Sequence, residues 1–136
     1  METFDYFDHD ADIGIIGRGR SVEAAFVSAA EAMFAVMGCS PSLACDARVD
    51  VVFEEEDREL ALVQWLNLLL AEAASRQLLF CRFRLERRGA RWEGTAWGIP
   101  IALVDARGTE VKGATLTMLS VAEGATGWEA RCVVDV

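Results

Sequence analysis

A stretch in the middle of the chain alternates apolar and charged residues, and it limits the possible folds more than any other feature. The stretch reads LFCRFRLERRGARWEGTAWG, with the alternation continuing on both sides of Arg88-Gly89. A period of two is typical of a β-strand with one buried face, and the glycine predicts a turn between two such strands. We therefore expect an antiparallel hairpin with one apolar and one solvated face.

The solvated face of this hairpin would carry a cluster of arginines: Arg82, Arg84, Arg87, Arg88 and Arg91. Basic clusters can mark nucleic-acid-binding surfaces, because neutralising phosphates supplies most of the sequence-independent affinity. The chain as a whole has a net charge of −9, which argues against RNA or DNA binding by this protein alone. We interpret the cluster as solvated, and the acidic balance favours a basic protein partner or a cation.

Two segments carry the period of an α-helix. In the first, apolar residues from Val22 to Met37 recur at spacings of three and four, with Ser21 as the N-cap and Gly38 at the end. The second runs from Asp57 to Arg76 and has apolar residues on more than one side, as in a central core helix. An acidic group at 54–57 precedes it, where negative charge stabilises the positive end of the helix dipole.

Further strands are predicted at both ends of the chain. They are TFDYF, IGIIGRG, ARVDVVFEE and the pair EVKGATLTMLSV and WEARCVVDV around the turn EGATG. Helices combined with mainly antiparallel strands indicate an α+β fold. Because the 136 residues are 53% hydrophobic and contain no linker-like segment, we predict a single domain over residues 1–136.

The composition also favours a cytoplasmic protein with no membrane contact. No apolar run approaches the roughly 18 residues that cross a bilayer, and the N-terminus lacks the order of a secretion signal. The four cysteines, Cys39, Cys45, Cys81 and Cys132, form no C-x-x-C pair, and with one histidine a zinc site is hard to assemble. We therefore expect reduced, packed thiols and no disulfide.

Four stretches, in this order, resemble the archease family: FDHDADIGI with GRSVEAAFVSAAEAMFAVM, then LVQWLNLLL, then GTEVKGATLTML, and finally WEARCVVDV. The likeness runs from the first strand to the last residue. It implies a two-layer α+β domain in which two aspartates approach each other and hold a divalent cation. By motif these are Asp12, in the ADIG step, and Asp135, in the C-terminal Asp-Val pair.

A cation shared by two aspartates is chemically reasonable, because close carboxylates repel and a hard cation with oxygen ligands relieves the repulsion. The backbone or terminal carboxylate of Val136 would add oxygens. Calcium is the cation we favour, and magnesium or manganese fit such ligands better than zinc or copper. From the residues alone, Asp12 more often belongs to an Asx-type turn and Asp135 to a solvated tail. The resemblance to the archease family instead implies that both aspartates bind the cation.

Other residues flank this predicted site. His9 matches the family's H-x-A-D motif, whereas Asp10 replaces a neutral hydroxyl residue and is either a third ligand or a solvent-facing group. Glu110 and Lys112 also match family positions, and alternation places both on one face of their strand with Ala114. They are either a surface ion pair, which stabilises little, or a site beside the carboxylates that tunes the metal or contacts a partner.

The resemblance implies a function that is not catalytic. Archease-like proteins activate the RNA ligase of tRNA splicing by promoting its guanylylation and multiple turnover, and RNA is bound only through the ligase. Thr117 stands where the family usually has a histidine, and the loop GIPIALVDARGT lacks the family's Arg-His pair. Two other functions stay open: a chaperone-like interaction module, and a small metal-dependent hydrolase using Asp12 and Asp135.

Overall fold

The computed structural model describes residues 3–136 and confirms the α+β prediction, with two helices and two antiparallel sheets. The elements are β1 (Thr3–His9), β2 (Asp12–Gly19), α1 (Val22–Val36), β3 (Ala47–Glu54), α2 (Arg58–Arg76), β4 (Leu78–Arg88), β5 (Arg91–Pro100), a 3₁₀ turn (Ile101–Leu103), β6 (Gly113–Ala114), β7 (Ser120–Gly124) and β8 (Gly127–Asp135). None of the described helices combines the length and apolar composition needed to cross a bilayer.

The strands divide between a five-stranded and a three-stranded sheet. The larger sheet has the order β1-β2-β8-β6, and β7 also pairs with β8. The smaller sheet has the order β3-β5-β4 and contains the predicted hairpin. On its inner face Phe83, Leu85 and Trp92 are buried, whereas Arg82 and Arg84 on the outer face are exposed. The predicted apolar and solvated faces of the hairpin are therefore confirmed. The placement of Arg87 on the solvated face is wrong, because it pairs with Trp92 and its guanidinium carbon is 4.7 Å from the Trp92 ring centroid.

Helix α1 begins where the sequence predicts, because the Ser21 side chain accepts a hydrogen bond from the Ala24 backbone N–H at 3.1 Å. The helix packs against both sheets. On one side Phe26 stacks on Trp92 of β5, with ring centroids 5.0 Å apart. On the other side Gly17 of β2 lies against the α1 backbone, where any Cβ would collide with backbone atoms. The small residue therefore permits the close approach of helix and strand.

Helix α2 forms the centre of the core, as expected. Its N-cap is Asp57, whose Oδ1 accepts hydrogen bonds from two backbone N–H groups, at 2.9 and 3.1 Å. About two turns further along, the fully buried Trp65 donates its indole N–H to the Phe26 carbonyl oxygen of α1 at 3.0 Å. The two helices are therefore joined by a hydrogen bond inside the core, where an unpaired polar group would be costly.

The predicted long strand EVKGATLTMLSV is wrong in its extent, because only Gly113–Ala114 and the residues from Ser120 onward form strands. The side chain of Asn67 on α2 accepts the Ala114 N–H at 2.8 Å and donates to the Ala114 carbonyl at 3.1 Å. This amide satisfies both backbone groups of Ala114, and Met118 then adopts a left-handed φ of 56°. The alternating pattern therefore describes a short strand, a loop and a second strand.

The prediction that no cysteines pair is also wrong, because Cys39 and Cys81 form a disulfide with their Cα atoms 5.4 Å apart. Cys39 follows α1, and Cys81 lies in β4 where the strand register shifts. The packing of α1 on β4 brings them together across 42 residues, which no local spacing rule detects. Cys45 and Cys132 are free and buried as expected, and burial raises the pKa of Cys132 to about 12.

Candidate functional site

The residues predicted from the N- and C-terminal motifs lie in one row at an end of the larger sheet. His9 of β1 pairs with Asp12 of β2 across a two-residue turn. Ile13 pairs with Val134, so Asp12 and Asp135 follow at the adjacent position. Asp135 also pairs with Gly113 of β6. Strand order and register thus bring together residues from both ends of the chain.

Backbone hydrogen bonds fix the chain end beside Asp12. The Val136 N–H donates to Asp12 Oδ1 at 3.3 Å, and the Lys112 N–H donates to the Asp135 carbonyl oxygen at 2.8 Å. The backbone of Val136 therefore lies beside the Asp12 carboxylate. Among residues 3–136, no lysine or arginine side chain forms an ion pair with Asp12 or Asp135. Within these residues, no basic side chain neutralises the two carboxylates.

The turn between β1 and β2 carries the other acidic candidate. Asp10 has a left-handed φ of 52°, and its side chain is 93% exposed. Its Oδ2 is 3.9 Å from Nδ1 of His9, which is close enough for an ion pair when the imidazole is protonated. Asp8 is also exposed. The structure therefore places Asp10 and His9 beside each other at the tip of the hairpin, next to the row that contains Asp12.

Glu110 and Lys112 lie just before β6 and not within a strand, so the predicted strand face that they would share with Ala114 is absent. The physical reason is that β6 is only two residues long and is fixed by Asn67. Both side chains are exposed, whereas Val111 between them is buried. Within residues 3–136, neither Glu110 nor the Lys112 ammonium forms an ion pair, which excludes the simple surface pair as an explanation.

The donor chemistry of the row suits a hard cation. Asp12 and Asp135 offer carboxylate oxygens, which calcium, magnesium and manganese prefer to nitrogen or sulfur. The part of the chain that the structure describes holds no group of three or more His, Cys, Asp or Glu side chains able to bind a metal ion. A cation here would therefore need oxygens from Val136 or from water in addition to the two aspartates.

Asn67 is the functional candidate that the sequence did not reveal. It is half-buried on α2, and its amide holds the segment that carries Lys112 and pairs with Asp135. The only sequence signal was that Asn67 is one of two amide side chains in the apolar run LVQWLNLLL. Thr117 lies in the loop after β6, where its carbonyl accepts the Val133 N–H at 3.1 Å.

The fold and the site together define a small α+β domain with two antiparallel sheets, one of which ends in a row that carries the Asp12 and Asp135 carboxylates. The chain belongs to the archease family. Residues 4–136 match the model of the Archease protein family (MTH1598/TM1083). Protein archease of Sulfolobus acidocaldarius is 36% identical over 141 residues, covering 100% of both chains, and that of Methanosarcina barkeri is 30% identical, covering 99% and 97%.

Solved structures show the same fold. The solution structure of Methanobacterium thermoautotrophicum protein 1598 has a TM-score of 0.83 and 30% identity, with 98% of each chain covered. The crystal structure of an archease from Thermotoga maritima, described as a possible chaperone, has a TM-score of 0.68. It covers 96% of this chain and 94% of its own, and its 20% identity limits that comparison to the fold.

Proposed function

We propose that this protein is not itself an enzyme but activates the RNA ligase of tRNA splicing, by promoting guanylylation of the ligase and its repeated turnover. The observation that carries the proposal is the end of the larger sheet, where Asp12, Asp135 and Val136 lie together and no lysine or arginine of residues 3–136 pairs with either carboxylate. Membership of the archease family supports the same role.

The cation site would be built from the carboxylates of Asp12 and Asp135 and from the main-chain oxygens of Val136. A divalent ion held there, for which we favour calcium, would supply positive charge able to stabilise phosphate oxygens at a neighbouring nucleotide-binding site. The protein's own contribution is to hold the two strand ends together through the Val136–Asp12 and Lys112–Asp135 hydrogen bonds.

We expect calcium or manganese to raise the melting temperature of the wild type, because a ligand that binds only the folded state stabilises it. At a concentration about 100 times the dissociation constant, the stabilisation is about 2.7 kcal/mol. Asp12→Asn should remove most of this shift. Asp8→Asn is a matched control on the same hairpin and should retain it. Differential scanning fluorimetry makes the measurement, and an equal metal response in the wild type and Asp12→Asn contradicts a site at Asp12.

The contact with the ligase would involve the exposed groups around the row: Lys112, Glu110, His9 and Asp10. A protein with net charge −9 repels RNA. This charge is consistent with an activator that contacts the ligase, while only the ligase binds RNA. Such a complex would act in the cytoplasm, with no membrane involved.

Activation is tested with the ligase of the same organism, GTP and a divalent metal. At a ratio of about one activator to ten ligase molecules, the wild type should increase the amount of guanylylated ligase well beyond its own concentration, as expected for a partner that acts repeatedly. A general chaperone, the role suggested for the Thermotoga maritima protein, would instead suppress aggregation of unrelated clients near equal stoichiometry. Client protection without ligase stimulation contradicts the proposal.

A further inference from the structure

The outer face of the three-stranded sheet is exposed and carries its charges in bands. The outward residues pair across β3, β5 and β4 in four rows: Arg48, Trp97 and Arg82; Asp50, Thr95 and Arg84; Val52, Glu93 and Glu86; Glu54, Arg91 and Arg88. The first two rows hold three guanidinium groups and one carboxylate. The third row holds two carboxylates, of which Glu93 is paired with Arg91 of the fourth row at 2.7 Å. One end of the face is therefore positive and is followed by the Glu86 carboxylate in the third row.

The positive end is organised around a single indole ring, and we call Arg48, Arg82, Arg84 and Trp97 the Trp97 patch. The guanidinium carbon of Arg82 is 4.5 Å from the ring centroid of Trp97, and those of Arg48 and Arg84 are 5.9 and 6.0 Å away. A guanidinium group stacked on an indole is held in place by cation–π attraction, while the N–H groups at its edge stay available.

The Trp97 patch has unused positive charge. Asp50 accepts hydrogen bonds from Thr95 at 2.9 Å and from Arg48 at 3.1 Å, and these bonds lower the pKa of its carboxyl group. Asp50 therefore stays ionised and forms its ion pair with Arg48. Within residues 3–136, no carboxylate forms an ion pair with Arg82 or Arg84. In a chain with net charge −9, two fixed and unpaired guanidinium groups favour an anionic partner.

A cleft next to Arg82 offers a place for an apolar group. Its volume is about 530 Å³, and Phe4, Leu43 and the Cys39–Cys81 disulfide contribute to its lining. Phe4 is 42% exposed. Apolar anchors and stacked arginines are the features that dominate the binding energy of protein interfaces. The cleft and the Trp97 patch, joined by Arg82, therefore suit a protein segment with both an apolar and an acidic side chain.

We infer that the outer face of the three-stranded sheet is a second docking surface, which receives an acidic segment of the partner ligase on the Trp97 patch and an apolar side chain in the adjoining cleft. The identity of the partner rests on the proposed function. A protein segment fits better than RNA, because an extended polyphosphate continuing along the strands would meet the Glu86 carboxylate in the third row. A folded partner can place a cation opposite that carboxylate.

The test combines Arg82→Glu with Arg84→Glu and measures binding to immobilised ligase by biolayer interferometry. Binding should weaken by about tenfold or more, because facing like charges replace facing opposite charges. The matched control combines Arg20→Glu with Arg76→Glu, which changes the net charge equally at exposed positions off the three-stranded sheet. The control should stay within about threefold of the wild type. Circular dichroism and melting temperature verify that both variants are folded.

The outcomes separate this inference from the proposed function. If the wild type binds the ligase and Arg82→Glu/Arg84→Glu binds equally well, the second surface is wrong and the proposed function stands. If the wild type neither binds nor stimulates the ligase, both are wrong. A further measurement tests binding of a fluorescently labelled single-stranded RNA to the wild type and to the Arg82→Glu/Arg84→Glu variant. Wild-type RNA binding that the Arg82→Glu/Arg84→Glu variant loses, with ligase binding unchanged, would assign the face to nucleic acid and overturn the inference.

Discussion

Replacing Trp65 by alanine should remove most of the stability of this domain. The indole is fully buried at the centre of the core, where its ring packs edge-on against Phe83 at a centroid distance of 6.4 Å. Losing a buried tryptophan of this kind costs about 3–5 kcal/mol through the cavity that it leaves. The Phe26 carbonyl, which stays bonded within α1, would also lose its second hydrogen bond, worth about 0.5–1.5 kcal/mol. Small domains are stable by only about 5–15 kcal/mol in total.

Urea unfolding followed by far-ultraviolet circular dichroism measures this effect, and the midpoint of Trp65→Ala should fall to very low urea or disappear. Trp97→Ala is the matched control, because Trp97 lies on the outer sheet face and is only half-buried, with arginine side chains over its ring. Its midpoint should change far less. Equal midpoints for the two variants would mean that Trp65 does not have the central packing role described for α2.

The parts of the fold that the sequence predicted well are those in which the pattern and the local chemistry agree. The alternation around Arg88-Gly89 gave the β4–β5 hairpin, because one face of these strands packs on the core and the other faces solvent. Helix α1 followed from its apolar spacing and from Ser21, whose hydroxyl caps the first turn. In α2 the capping residue Asp57 and the apolar run gave the same boundaries.

The parts that the sequence did not predict depend on contacts between distant segments. The alternation in EVKGATLTMLSV resembles a strand, but Asn67 takes the backbone groups of Ala114 and the chain turns away after two residues. The Cys39–Cys81 disulfide requires the end of α1 to lie over β4. Both contacts are set by the packing of helices on sheets, which residue spacing does not record.

Of the two proposed binding surfaces, the sequence predicted one and did not predict the other. The motifs nominated Asp12 and Asp135 from opposite ends of the chain, and the pairing of β2 with β8 determines that they lie at the same sheet end. The Trp97 patch on the outer face of the three-stranded sheet could not be predicted in this way. The arginines of β4 were visible in the sequence, but Arg48 comes from β3 and Trp97 from β5, and only the register joins them.

Asp12→Ala and Asp135→Ala should each reduce stimulation of ligase guanylylation by about tenfold or more. The expected size follows from metal sites in general, where even the loss of an outer partner of a ligand costs about 10–100-fold in metal affinity or activity. Both residues lie at strand ends, Asp135 is exposed and Asp12 is half-buried, so the fold should be retained. Lys112→Ala should also reduce stimulation, since its backbone is bonded to Asp135 and its ammonium group is free to contact the partner.

The most direct measurement of the proposed function is the initial rate of ligase guanylylation with the wild type, Asp12→Ala, Asp135→Ala and the double variant, each verified as folded by circular dichroism. Two carboxylates that share one ion act as a unit, so the double variant should be little worse than either single variant. Losses that multiply in the double variant would mean that Asp12 and Asp135 act separately. Stimulation retained in all three variants would contradict the proposal that this end of the sheet activates the ligase.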